Sequence, residues 1–450
     1  MTQYENLNDL PKDCIYEIAS YLGLRDLENF SFTNRRIYSI CEDVQIKPLD
    51  GGHDLLSYQK KYIKWMLSIE KGELHKGIIN LTMGSGKTVC VLTTIQLNRV
   101  HNPSKYSEGL SLIILDLSLI RVWIDEIEKF YTSKDRLEYI VYHADYTPNI
   151  DWEKVPSNTV ILTTPITLRN RVIANAGNIQ NIKFHRIIFD EVHCLGEDTA
   201  TKIKLNSKFD NLWVITGTPF KNDHKKKSRR PTGPSFNKNI CALFDCNYDT
   251  QYLFDNGKPI ETPELHQIPI RIDLFDGNDT IGPYGYGGGY AGMKDKLIKV
   301  CKHIEELPAN DKCLIFCASR EVIHVDEYLI KHTDISYLKY DSSLQPRKRE
   351  DAYLRFKSDP DIKLLVCSFE LASKGLNLCE ANHTIFLSTP TTFSDPNIPN
   401  TNQLIQALSR IYRYGQKKNC YVQIYQGYKY YSELLHKVFP HATIIENYKY

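Results

Sequence analysis

Ile78-Ile79-Asn80-Leu81-Thr82-Met83-Gly84-Ser85-Gly86-Lys87-Thr88 is an apolar run that passes directly into a glycine-rich turn, with a lysine and a threonine at its exit. A turn of this kind between strand and helix lets backbone N–H groups close around phosphate oxygens, with the positive end of the helix behind them. In that arrangement Met83, Gly84, Ser85 and Gly86 form the cradle, Lys87 reaches the outer phosphates and Thr88 ligates Mg2+. The first position of the pattern asks for glycine, and this chain has Leu81. A glycine-containing turn with a surface lysine is the plainer reading.

Residues further along suit the same chemistry. Arg186-Ile187-Ile188-Phe189-Asp190-Glu191-Val192-His193 is an apolar strand ending in two carboxylates. In a parallel sheet that end is the edge where ligands bind. Asp190 can hold Mg2+ there, and Glu191 can orient and deprotonate an attacking water. A third run, Trp213-Val214-Ile215-Thr216-Gly217-Thr218-Pro219, ends in small hydroxyl residues suited to couple a nucleotide to a second site. Gln406, Arg410 and Arg413 stand at i, i+4 and i+7, a spacing that predicts one shared helix face. Two guanidinium groups presented together make a fork for phosphate and can stabilise charge on a transferring phosphoryl group. A solvated basic face is the alternative for such arginines.

Around these blocks, short apolar runs alternate with helical stretches. The runs are 77–81, 112–115, 160–162, 187–189 and 213–215, then 313–316, 335–338, 364–367, 385–387 and 422–425. This predicts an α/β fold with two doubly wound parallel sheets in tandem. Between the series, Lys225-Lys226-Lys227-Ser228-Arg229-Arg230 reads as a solvated loop, an import signal or a duplex contact. Residues 282–290, dense in glycine, predict a flexible connector. Ahead of everything, Leu10-Pro11-Lys12-Asp13 is a helix-start signal followed by Ile15, Ile18, Ala19 and Leu22 at helical spacing. The expected division is a helical module at 1–48, α/β domains at 50–222 and 296–450, and a linker or insertion at 223–295.

Composition sets the bounds. The 450 residues are 42% hydrophobic and 24% charged, which excludes a disordered, collagen-like or coiled-coil protein for most of the length. No run approaches the ~18 consecutive apolar residues of a membrane span. The first residues are polar and acidic, so no secretory signal is expected. With 56 basic and 54 acidic side chains the net charge is +2, so nucleic acid could be served only by a local basic cleft. The 12 cysteines lack paired short spacings, which predicts buried thiols in an intracellular, reducing compartment and not a zinc site.

Taken together the blocks resemble a superfamily 2 helicase-type motor, most of all its Swi/Snf-like branch. Leu56-Ser57-Tyr58-Gln59, with Trp65 beyond, is similar to that branch's adenine-reading segment, which makes Tyr58 and Gln59 nucleotide contacts. Ser118-Leu119 through Trp123 and residues 126–130 resemble the block after its second strand. Thr163-Thr164-Pro165 looks like a phosphate-backbone contact, and 216–219 with Asn222 like the third motif. Residues 368–378 resemble the fifth motif, and Gln406/Arg410/Arg413 with Gly415-Gln416 the most branch-specific block. Residues 8–45, with Tyr21-Leu22, Asp26-Leu27 and Asn34-Arg35-Arg36, resemble an F-box, a short helical module that binds the Skp-type adaptor of cullin ubiquitin ligases. A plain three-helix cap is the alternative there. The stretch after Asn222 is shorter than in large remodellers, and neither a RING nor a histone-reading module is evident.

The resemblance implies two RecA-like domains with ATP and Mg2+ at their seam. Lys87, Thr88, Asp190 and Glu191 would come from the first, and Gln406, Arg410 and Arg413 from the second. It implies movement along nucleic acid, duplex DNA ahead of RNA. A strand-separating RNA or DNA helicase is the nearest alternative, and an F-box substrate adaptor with an inactive motor is the alternative of another class. Heavy use of Ile, Lys, Asn and Tyr reflects AT-rich codons and loosely resembles large DNA viruses. Nucleus and cytoplasm are not distinguished.

Overall fold

The computed structural model describes residues 15, 55–81, 84–100, 108–130, 136–143, 150–173, 179, 181–191, 197–205, 207–216, 236, 238–246, 249–257, 269–275, 290–369, 376–388, 390–392, 395–399, 401–412, 416–425, 429–439 and 441–447. The chain divides into two compact units, with Glu261 opening the long continuous part of the second. The helical module at 8–45, the basic run and the glycine-rich run lie outside the described residues, apart from a buried Ile15.

The first unit is built on β1 (Lys76–Ile79), β2 (Ser111–Ile114), β3 (Tyr139–Tyr142), β4 (Val160–Thr163), β5 (Lys183–Asp190) and β6 (Lys208–Ile215). They form one sheet in the order β1-β6-β5-β2-β4-β3, and every pairing is parallel. Short runs such as Ser111-Leu112-Ile113-Ile114 are buried at every position, as strands covered on both faces must be. Helices α1 (Ser57–Lys71), α2 (Lys87–Leu97), α3 (Leu117–Phe130), α4 (Pro165–Ile173), α5 (Glu197–Leu205) and α6 (Lys238–Phe244) complete the layers.

Register is what positions the chemistry. Ile215 of β6 pairs with Ile79 of β1 on one side and with Asp190 of β5 on the other. At ~4.8 Å per strand spacing, the exit of β1 and the acidic end of β5 lie roughly 10 Å apart. The third run bridges them. Thr216 N–H donates to the Ile79 carbonyl at 3.1 Å, and the Ile215 carbonyl accepts from Glu191 N–H at 2.9 Å.

A buried ion pair ties α1 to this sheet. Arg186 of β5 donates from Nε to Glu70 Oε1 at 2.9 Å and from Nη2 to Oε2 at 2.8 Å, with both side chains almost fully enclosed. Trp213 Nε1 and Asn98 Nδ2 also donate to the carboxylate, at 2.8 and 2.7 Å. Burial by itself would raise the Glu70 carboxyl; the charge and hydrogen bonds of Arg186, with those of Asn98 and Trp213, outweigh it and hold the group below its ordinary range. The Trp213 ring lies so close to β1 that a Cβ on Gly77 would stand 2.1 Å from it, so only glycine fits there. Glu70→Ala strands a buried guanidinium and is expected to cost about 3–5 kcal/mol of the first unit's stability. Urea unfolding measures this, and a loss below ~1 kcal/mol would mean that water replaces the carboxylate and that the pair does not fasten α1.

The second unit carries β7 (Ile270–Phe275), β8 (Cys313–Cys317), β9 (Tyr337–Tyr340), β10 (Leu364–Ser368), β11 (His383–Phe386), β14 (Cys420–Tyr425) and β15 (Thr443–Asn447). Their order is β15-β7-β14-β11-β8-β10-β9, again parallel throughout. A small antiparallel pair, β12 (Thr391–Thr392) and β13 (Asp395–Pro399), stands apart from it. Helices α7 (Tyr290–Glu305), α8 (Val322–His332), α9 (Pro346–Ser358), α10 (Thr401–Leu408) and α11 (Lys429–Val438) accompany the sheet. Its core has two faces, one around Phe316, Phe356 and Phe386, the other around Val300, Ile315 and Leu329.

The segment expected as linker, 223–295, is divided between the units. Phe236, Ile240, Leu243 and Leu253 are in the first unit's core, and Leu253 bridges to Ile78 of β1. Residues 270–275 are β7, and α7 begins at Tyr290. The signal for β7 was the alternation Ile270-Arg271-Ile272-Asp273-Leu274, half apolar and hence weaker than the fully apolar runs around it.

Candidate active site

The site grows from the carboxyl ends of β1 and β5. Tyr62 of α1 donates its hydroxyl to the Ile78 carbonyl at 3.3 Å and accepts from Asn80 N–H at 2.9 Å, which fixes the chain where it leaves β1. Gly84 and Gly86 then adopt φ of 78° and 80°, the left-handed region that glycine enters without strain. Gly86 caps α2, whose first residue is Lys87. Lys87 Nζ lies 3.0 Å from the Leu81 carbonyl, so the ammonium folds back over the turn. Leu81 itself is buried. Its side chain joins the core while its carbonyl accepts from Lys87. Met83 lies outside the described residues.

Gln59 belongs to the same cluster. At the third position of α1 its Oε1 accepts from Leu56 N–H at 2.9 Å, the return arm of a capping box. Its amide nitrogen lies so near Gly86 that a Cβ there would stand 2.4 Å from it. The residue read as an adenine contact is thereby held against the phosphate turn. Tyr58, its neighbour, is buried.

Asp190 closes β5, and its Oδ2 accepts from Trp123 Nε1 of α3 at 2.9 Å. Burial, then the adjacent Glu191 charge, pushes the Asp190 carboxyl up to about 7; the Trp123 hydrogen bond and the Lys87 charge act the other way. Glu191 holds φ of 50°, a left-handed conformation that costs a non-glycine residue about 1–3 kcal/mol. The Glu191 N–H bond to Ile215 pins that conformation. Two crowded carboxylates within reach of the Lys87 charge fit a nucleotide-bound divalent cation, which would relieve their mutual repulsion. His193 and the 217–219 end of the third run lie outside the described residues.

In the second unit, α10 stops at Leu408, so Gln406 and Arg410 do not share one α-helix. Ser409 N–H still donates to the Ile405 carbonyl at 3.0 Å, but Arg410 N–H turns to that of Ala407 at 3.1 Å while its Nε takes that of Gln406 at 2.9 Å. Arg410 is buried, and its Nη1 donates to the Leu376 carbonyl at 3.2 Å. Gln416 donates to the carbonyls of Cys379, Ala381 and Ile411, so its amide fastens the same two segments. Sequence spacing showed the arginine pair but not these backbone ties. Arg413 lies outside the described residues.

The described cysteines are free thiols, and burial holds Cys90 and Cys420 up at about 12, inert at neutral pH. Among the described residues no group of three or more His, Cys, Asp or Glu could hold a metal, and no helix is long and apolar enough to cross a membrane.

Known families cover most of the chain. The SNF2-related domain matches residues 58–227, the helicase conserved C-terminal domain 295–415 and the F-box domain 7–49. A probable global transactivator of Orgyia pseudotsugata multicapsid polyhedrosis virus is 23% identical over 88% of this chain and 91% of its own length. The ATP-dependent DNA helicase DDM1 of Arabidopsis thaliana is 29% identical over 40% of this chain, which spans only 23% of that protein. Saccharomyces cerevisiae Dbp5, solved bound to RNA and ADP BeF3, is similar in fold with a TM-score of 0.58 at 16% identity, over 88% of this chain and 94% of that one. Both units are therefore RecA-like. The chain belongs to the Swi/Snf-like branch of the superfamily 2 helicase-type ATPases, enzymes that hydrolyse ATP, and it carries an F-box domain over residues 7–49.

Proposed function

We propose that this chain is a translocase on duplex DNA that an F-box domain brings to a Skp-type adaptor of a cullin ubiquitin ligase. The observation that carries the motor reading is the convergence of Gln59, Gly86, Lys87, Asp190 and Glu191 at one edge of the first sheet. Gly84, Ser85 and Gly86 cradle the phosphates, Lys87 neutralises the outer ones, and Tyr58 and Gln59 meet the base. Thr88 and Asp190 would hold Mg2+, which when bound screens charge on the phosphates. Glu191 orients the attacking water and takes its proton. From the second unit, Arg413 contributes charge to the transferring phosphoryl group, with Gln406 beside the nucleotide and Arg410 holding that segment in place. A complete set of these groups speaks for a working motor and against an adaptor with a dead one.

DNA is favoured because one of the relatives, 29% identical over 40% of this chain, is named a DNA helicase. With a net charge of +2, the grip on DNA must come from a local basic surface making phosphate contacts. The experiment is a panel of ATPase rates with duplex DNA, single-stranded DNA and RNA at several salt concentrations. Duplex DNA is expected to stimulate most, and the stimulation to fall steeply with salt. Stimulation by RNA or single strands alone would make the chain a strand-separating helicase instead. Co-purification of a Skp-type adaptor, lost when 7–49 is deleted, checks the ligase arm.

A further inference from the structure

We infer that Trp123 is a positioning residue for the cation-binding carboxylate, holding Asp190 in the rotamer that accepts a nucleotide-bound divalent ion; this rests on the nucleotide-site reading above. Trp123 lies on α3, is 1% exposed and is among the largest fully enclosed side chains of the chain. A buried indole N–H needs an acceptor, and a backbone carbonyl ordinarily supplies it. Here the acceptor is a catalytic carboxylate, with Nε1 2.9 Å from Asp190 Oδ2.

Two consequences follow from the donor-only character of indole. Oδ2 is therefore an acceptor, with one lone pair engaged by the indole, which leaves Oδ1 the freer oxygen for a cation. The carboxylate is also tied to α3, an element that follows a different strand, β2. Asp190 stands next to Glu191, whose charge repels it, while the indole, the Lys87 charge and the Glu191 backbone N–H favour the ionised form. A hydrophobic ring of similar size would fill the same space and do neither. Neither the phosphate-turn pattern nor the acidic run points to Trp123, because the contact spans 67 residues.

The test uses the full chain with 15N-labelled indoles. Four tryptophans give four indole resonances, and Asp190→Asn and Trp123→Phe each identify that of Trp123. ADP is added first with EDTA and then with Mg2+. The Trp123 resonance is expected to shift on Mg2+ addition, while that of Trp152 stays in place. In Trp123→Phe, the Mg2+ concentration that half-saturates Mg2+-dependent ADP binding should rise roughly ten-fold. Affinity for ADP in EDTA should be unchanged. A Trp123 resonance that ignores Mg2+ while ADP binds normally overturns the inference, and so does a Phe variant with wild-type Mg2+ dependence. If Trp123→Phe does not fold, the wild-type and Asp190→Asn spectra decide alone. Absence of ADP binding to the wild-type chain would sink the nucleotide-site reading instead.

Discussion

Lys87→Ala abolishes ATP turnover, lowering it by about 10²–10³-fold or more, and leaves the fold intact. The ammonium stands at the mouth of α2, 3.0 Å from the Leu81 carbonyl on the turn that Gly84 and Gly86 shape. Alanine at a first helical position is a good helix former, and Lys87 is only half-buried, so its removal opens no core cavity. What is lost is charge complementary to the outer phosphates as charge moves in the transition state. Lys87→Arg should rescue little, because a planar fork cannot replace a compact point charge in a turn this tight. Steady-state ATPase rates beside thermal melting of both variants measure the effect. Undiminished hydrolysis by a well-folded Ala variant removes the assignment of this turn.

Arg413→Ala and Arg410→Ala should fail in different ways, although both arginines belong to one motif. For Arg413→Ala, turnover is expected to fall by about 10³-fold or more with ATP affinity nearly unchanged, since its proposed contact strengthens only in the transition state. Arg410 is buried, and its guanidinium serves the carbonyls of Gln406 and Leu376. Removing it strands buried acceptors at about 1–3 kcal/mol each. Arg410→Ala should therefore lower the melting point of the second unit and lose turnover as a consequence. ATP binding, kcat and melting measured on both variants separate the cases. A normally stable Arg410→Ala that loses only kcat would make Arg410 a direct phosphate ligand.

The apolar runs of both sheets were legible because a strand covered on both faces must be apolar at every position. β2, β4, β5, β6, β8, β10 and β11 stand where such runs predict them, and β14 where the run 422–425 does although its burial alternates. Strands with weaker signals escaped. β3 and β15 are edge strands, and β7 alternates because one of its faces is only partly covered. The helix face expected for Gln406, Arg410 and Arg413 ends early, at Leu408, where Arg410 N–H turns to the Ala407 carbonyl and its Nε takes that of Gln406.

Groups of contiguous residues, such as the glycine turn with its lysine and the paired acids at a strand end, were defined by sequence alone. Backbone conformation and local spacing suffice to define such groups. Only the tertiary structure decided which distant groups stand behind them. Trp123 on Asp190, Gln59 against Gly86, and the Glu70–Arg186 pair under Trp213 join residues 27 to 143 positions apart, in pairs that no local periodicity encodes. Those contacts exist because the register of β1, β6 and β5 brings their ends together and because buried polar groups must find partners within reach.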